Sequence, residues 1–136
     1  MAEELVIQGS ALGKQFGENV IAVEDANFTI PRGSFISLVG PSGCGKSTLL
    51  RLISGLIEKS GGDLLVRNAE VVGPRSDIGM MFQKAVLLDW RTSIENVLLP
   101  DEIRGTIDKD AKKRAWDHLQ LVGLKDLSLI HISEPT

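Results

Sequence analysis

Apolar and polar positions along this chain are spaced in two ways, and the spacing predicts strands first and helices later. Leu5, Val6 and Ile7 open a short β-rich segment. Phe16, Gly17, Glu18 and Asn19 read as a turn into Val20, Ile21, Ala22 and Val23. Ala26, Phe28 and Ile30 alternate with Asn27 and Thr29, the period of a half-buried strand. Pro31, Arg32 and Gly33 turn the chain into residues 34–39, SFISLV, a near-continuous apolar run. Residues 78–82, IGMMF, form a second such run. Runs of this kind suit strands covered on both faces in a parallel sheet. Between them, Ser60, Gly61 and Gly62 predict a turn, and Leu64 to Val66 with Glu70 to Val72 predict a hairpin around Asn68.

Helical spacing begins after Lys46, where Leu49, Leu50, Leu52 and Ile53 have the density of a buried helix that should end near Gly55. Thr92, Ser93, Ile94 and Glu95 make a capping box, a hydroxyl for one free amide and a glutamate reaching back. The helix that it starts carries Val97 and Leu98 and meets Pro100. Asp108 caps another helix, in which Ala111, Ala115, Leu119 and Val122 recur on one face. Lys112, Lys113 and Arg114 fall on that helix and read as its solvated side. His118 has no Cys or His at ligand spacing and reads as structural or exposed.

Chemistry concentrates between the first apolar run and the first helix, in residues 40–48, GPSGCGKST. Apolar strand, glycine-rich turn and helix are the setting that the pattern GxxxxGK[ST] requires. Gly40, Gly43 and Gly45 let the backbone curl so that successive amides point inward at an anion. Pro41, Ser42 and Cys44 complete the loop, and a helix N-terminus adds its free amides and dipole. Lys46 is placed to reach the β- and γ-phosphates of a nucleoside triphosphate, and the Ser47 hydroxyl, followed by Thr48, to take a Mg²⁺ position. Cys44 in this loop should be reactive and protected by ATP.

Composition narrows the class without naming it. The chain has 136 residues, 43% hydrophobic and 24% charged, which is globular. A net charge of −3 gives no sign of a general polyanion binder, and nucleic acid is not an expected partner. One cysteine excludes an internal disulfide and suits a reducing compartment. The acidic start lacks the plan of a secretory signal. No apolar stretch approaches the ~20 residues that span a bilayer.

Together with residues 40–48, Phe82, Gln83 and the run Leu88, Asp89, Trp90, Arg91, Thr92 carry a resemblance. From Leu5 to about Leu124 the chain resembles the N-terminal half of an ATP-binding cassette (ABC) transporter ATPase. Within that family it looks most like subunits of nitrate, sulfonate and taurine importers, with Asp89 where relatives commonly carry Pro. The resemblance implies an α/β fold, a P-loop NTPase core of ABC type with an N-terminal antiparallel β-subdomain, truncated. It implies ATP and Mg²⁺ as ligands, with Phe16 stacking on adenine. Gln83 of the Q-loop would contribute to Mg²⁺ or orient a water. Residues from Lys84 to Trp90 would meet a transmembrane permease subunit. A homodimer of nucleotide-binding subunits and an indirect link to a solute-binding protein follow, on the cytoplasmic side of the membrane. A soluble ABC ATPase acting on nucleic acid or the ribosome is the alternative. An unrelated P-loop kinase is disfavoured by the strands before the loop.

The signature motif, the acidic strand motif and the switch histidine of the family do not occur in this chain. The expectation is that the complete protein hydrolyses ATP and that this stretch binds it at best. Residues 1–126 read as the N-terminal part of the nucleotide-binding domain. Residues 127–136, LSLIHISEPT, can be read back into codons that look like a transposase sequencing adapter, so a non-native tail is expected there, with no role for His131. In folds resembling this family the runs at 34–39 and 78–82 are not neighbours. Residues 34–39 should therefore lack a full set of ladder partners.

Overall fold

The computed structural model describes residues 4–84, 86–124 and 126. The chain divides into two compact units, Met1–Met80 and Met81–Thr136. The first holds β1 (Leu5–Phe16), β2 (Val20–Pro31), α1 (Lys46–Ile53), β3 (Gly61–Val66) and β4 (Ala69–Glu70). Its sheet runs β2-β1-β3-β4, antiparallel throughout, so the expected antiparallel subdomain is present.

β1 is longer than its first three apolar residues suggest, because β2 offers a partner from Pro31, opposite Leu5, to Val20, opposite Phe16. The expected turn joins them, with Gly17 at φ +59°. Midway the register slips, and Asn27 fills the gap. Its Oδ1 accepts the Ala11 amide at 2.8 Å, while its Nδ2 donates to the Asp25 carbonyl at 2.9 Å. Ala26, Phe28 and Ile30 are the inward positions of β2, as their alternation predicts.

Gly61 and Gly62 do not form the expected turn. β1 captures them as the start of β3, with Gly61 opposite Gly13 and the Ser60 amide donating to the Gly13 carbonyl at 2.8 Å. The hairpin around Asn68 forms as expected, although β4 is only Ala69–Glu70 and Val72 is exposed. Arg67 and Asn68 take φ of 50° and 61°, the hand that a two-residue hairpin turn demands.

α1 lays Leu52 beside the fully buried Leu12 of β1 and Leu64 of β3, and Val23, Phe28 and Leu49 pack around them. Burying each leucine contributes about 1.5–3 kcal/mol, which fixes α1 against the sheet. The helix stops at Ser54, one residue before Gly55 at φ +73°, as expected.

The two apolar runs are where pattern and structure part. Residues 34–39 are not a strand, and Phe35 and Val39 are each 93% exposed. Residues 78–82 form no strand either, and Met81 is exposed. No ladder joins the two runs. A buried parallel strand needs hydrogen-bonding neighbours on both sides, and the described sheet supplies none to either run. The lack of ladder partners for residues 34–39 agrees with the family-based expectation.

The second unit contains α2 (Ser93–Arg104) and α3 (Lys109–Leu121), packed through Leu98, Ala111 and Ala115 with Ile94 alongside. The capping box is complete at Thr92 and Glu95, and the Asp108 Oδ1 accepts the Ala111 amide at 2.6 Å. α2 continues through Pro100 rather than ending there, and closes at Gly105. Val122 is the C-cap of α3 and exposed, not part of the buried stripe. Lys112, Lys113, Arg114 and His118 are exposed; Lys113 and Arg114 lie away from Ala111, Ala115 and Leu119, while Lys112 and His118, each three residues from Ala115, flank that stripe. Residues 127–136, His131 among them, lie outside the described residues.

Candidate functional site

The loop at residues 40–48 is held from its downstream end. Gly45 is the N-cap of α1 at φ +88°, and a Cβ there would lie 2.1 Å from the Ala22 carbonyl oxygen of β2. Only glycine permits that approach in that conformation. Gly43 also has positive φ, +83°. The first turn of a helix leaves amides without intrahelical partners, and Gly45 provides no side-chain cap to satisfy them. The N-terminus of α1 therefore keeps its donors and its dipole available to an anion.

Lys46 closes the loop on itself. Its Nζ donates to the carbonyl oxygens of Gly40 at 2.8 Å and Pro41 at 2.6 Å, and lies 3.3 Å from the Cys44 Sγ. Cys44 and Ser47 are exposed, while Thr48 is half-buried. Ser42 turns with Gly43, where the Cys44 amide donates to the Pro41 carbonyl at 3.4 Å. A cavity of about 290 Å³ opens beside the loop, lined by Ala22, Val23, Glu24, Cys44, Gly45 and Lys46 among others. The three donors of the ammonium are engaged by two neutral carbonyls and a sulfur. Charged phosphate oxygens are stronger acceptors for them. The donor set fits a polyphosphate.

Phe16 ends β1 in the same unit, 42% exposed, with Lys14 Nζ 5.0 Å from its ring centroid. Gln83 belongs to the second unit and is exposed, so the structure does not gather all the expected site residues into one described body. In the segment from Lys84 to Trp90, Leu88 is half-buried and Trp90 is 72% exposed. Ala85 lies outside the described residues.

Two residues of consequence escape the sequence reading. Asn96 is 9% exposed, and its side chain ties down the segment before α2. Its Oδ1 accepts the Leu88 amide at 2.8 Å, and its Nδ2 reaches the carbonyls of Leu88 at 3.1 Å, Arg91 at 3.3 Å and Thr92 at 3.1 Å. An asparagine among Ile94, Val97 and Leu98 inside a capped helix was the available signal. Lys14 is the second, two residues from an aromatic on one strand and therefore on its face.

Ion pairs brace other parts of each unit. Arg75 and Asp77 form a two-bond fork, each bond 2.9 Å, and hold the Asp77 carboxyl below the usual range. The Arg91 guanidinium does the same to Glu102. Among the described residues no cluster of His, Cys, Asp and Glu could hold a metal ion, and no helix is long and apolar enough to cross a membrane.

Comparison with known proteins extends this picture. Residues 23–135 match the family model described as ABC transporter. An aliphatic sulfonates import ATP-binding protein of Zymomonas mobilis is 44% identical over 124 residues, covering 91% of this chain and 49% of that protein. A methionine import ATP-binding protein of Rhodopseudomonas palustris is 43% identical, covering 79% and 31%. A taurine import ATP-binding protein of Roseobacter denitrificans is 37% identical, covering 81% and 41%. The chain thus spans from 31% to 49% of the lengths of these relatives. The dimeric ATP-binding cassette MJ0796, bound to ADP and Pi, superposes with a TM-score of 0.78 at 27% identity, covering 96% of this chain and 63% of that one. A family match over most of the sequence, the shared cassette fold and the glycine-rich turn into α1 agree, and the chain belongs to the ABC transporter family.

Proposed function

We propose that this chain is the nucleotide-binding part of an ATP-driven import subunit, and that residues 40–48 hold the phosphates of ATP. The observation that carries this is the position of Lys46, whose ammonium sits in the mouth of a glycine turn at an uncapped helix N-terminus. The amides of Gly43, Cys44, Gly45, Lys46, Ser47 and Thr48 would face phosphate oxygens, with Gly40, Pro41 and Ser42 shaping the entrance. Lys46 exchanges its two carbonyl acceptors for the β- and γ-phosphates. Ser47, and in the complete protein Gln83, would offer an oxygen to a Mg²⁺ ion, which neutralises phosphate charge when it is bound. Phe16 offers its exposed ring to adenine.

The import reading rests on the relatives named for sulfonate, taurine and methionine import. Hydrolysis and solute transport belong to the whole protein, working as a dimer on the inner face of the membrane with permease subunits and, through them, a solute-binding protein. The segment from Lys84 to Trp90, with Trp90 exposed, would meet the permease. A sulfonate or taurine-like solute is the favoured substrate class.

Calorimetric titration with Mg-ATP tests the site. Lys46→Ala removes a charged donor worth about 1.5–3 kcal/mol, so affinity should fall roughly 10- to 100-fold. Equal affinity in parent and variant would refute the assignment.

A further inference from the structure

We propose that Lys14 is a positioning residue for the nucleobase, covering one face of the Phe16 ring with a cation and leaving the other face to stack on a purine. The inference rests on the reading of Phe16 as the base contact and adds a second residue to it. Lys14 and Phe16 are two apart on β1, so their side chains share a face of the sheet. The ammonium lies 5.0 Å from the ring centroid, inside the ~6 Å range in which the negative face of an aromatic attracts a cation.

The shared face is the one that meets the phosphate loop. Lys14 stands opposite Val23 in the β1–β2 ladder, and cross-strand partners project to the same side. Val23 Cγ2 would lie 3.6 Å from a Cβ placed on Gly45, and Val23 lines the cavity beside Lys46. Phe16, opposite Val20, ends the same strand with 42% of its surface exposed. A nucleotide whose phosphates lie on α1 can therefore reach along this face toward the ring.

The cation acts on the ring in two ways. It restricts the ring's rotation, so less freedom is lost when a base arrives. It also draws π density toward the covered face, which lowers the repulsion between the open face and the π system of a purine.

Titrations of the purified protein with Mg-ATP and with Mg-tripolyphosphate separate base from phosphate contributions. Lys14→Met should weaken ATP binding about two- to fivefold, the fold-change that an exposed cation–π contact supports. Tripolyphosphate affinity should not change, and this also reports that the variant is folded. Lys14→Arg should retain ATP affinity. In a Phe16→Leu background the Lys14→Met effect should vanish. The proposal is overturned if Lys14→Met binds ATP as tightly as the parent or more tightly. It is also overturned if ATP and tripolyphosphate weaken equally, since Lys14 would then act on phosphate charge. A parent that binds neither ligand would instead overturn the site reading beneath it.

Discussion

Replacing Asn96 by alanine should loosen the segment that carries Trp90, by an amount that can be worked from its hydrogen bonds. Four contacts are lost, but they are not equivalent. The Leu88 carbonyl keeps the Arg91 amide at 3.0 Å, and the Thr92 carbonyl keeps the Asn96 amide at 3.0 Å. Among the described residues the Leu88 amide has only the Asn96 Oδ1, at 2.8 Å, so it is the group left without an acceptor. An orphaned amide costs about 1–3 kcal/mol, with the lower half of that range fitting a half-buried Leu88. The lost Nδ2 donors add about 1 kcal/mol, and alanine's better helix propensity returns about 0.5 kcal/mol. The expected net loss is roughly 2 kcal/mol. Both tryptophans, Trp90 and Trp116, lie in the second unit, so urea denaturation followed by their fluorescence reads that unit directly. Asn96→Asp is the informative control. It keeps an acceptor for Leu88 but sets a carboxylate against three carbonyl oxygens, so it should be at least as destabilising as Asn96→Ala. A change under about 0.5 kcal/mol for Asn96→Ala, or a milder effect of Asn96→Asp, would refute the reasoning.

Two further perturbations test other parts of the structure. Gly45→Ala forces a Cβ to within 2.1 Å of the Ala22 oxygen at φ +88°, and should cost the first unit more than about 2 kcal/mol and abolish ATP binding. Circular-dichroism melts and titration check it, and an unchanged melting temperature would count against the anchoring of the loop on β2. Acid should destabilise both units through Asp77 and Glu102, whose carboxyls are held low by hydrogen bonds from Arg75 and Arg91. A depressed folded-state value stabilises above the unfolded carboxylate range, near pH ~4, and is lost as pH falls through the lower folded value. Asp77→Asn should flatten part of the acid limb of the stability profile, and an unaltered limb would show that the Arg75 fork contributes nothing.

Local signals in the sequence are those that the structure keeps. The alternation in β2, the hairpin at Asn68, the box at Thr92 and the cap at Asp108 are settled by neighbours within a few residues. Misreadings arise where a distant partner decides. Gly61 and Gly62 carry turn chemistry, yet the edge of β1 is free to pair and takes them into β3. Pro100 lacks an amide, yet the following turn to Gly105 still forms, as packing through Leu98 and the Arg91–Glu102 pair span it. Asn96 was invisible for a related reason. Its acceptors come from a segment whose irregular path no periodicity describes.

The loop itself shows how much of a site can be legible while its support is not. The pattern GPSGCGKST foretells the turn and the helix, but the two halves of the turn are held by different forces. The downstream half is anchored by packing: Gly45 sits against the Ala22 carbonyl, and Leu49 and Leu52 carry α1 into the core with Leu12 and Leu64. Packing of this kind is dense and tolerates little movement. The upstream half follows residues 34–39, which have no ladder and expose Phe35 and Val39. There, the Lys46 ammonium on the Gly40 and Pro41 carbonyls is the charged tie between the two halves, beside the 3.4 Å bond from the Cys44 amide to the Pro41 carbonyl. The same ammonium is the group that a phosphate would claim. Capture of a phosphate therefore removes the charged tie and leaves the entrance on the long Cys44 bond, unless residues 34–39 are held by strand pairing instead. An apolar run that looks like an ordinary buried strand in the sequence is thus the part of the site whose order depends most on what lies beside it.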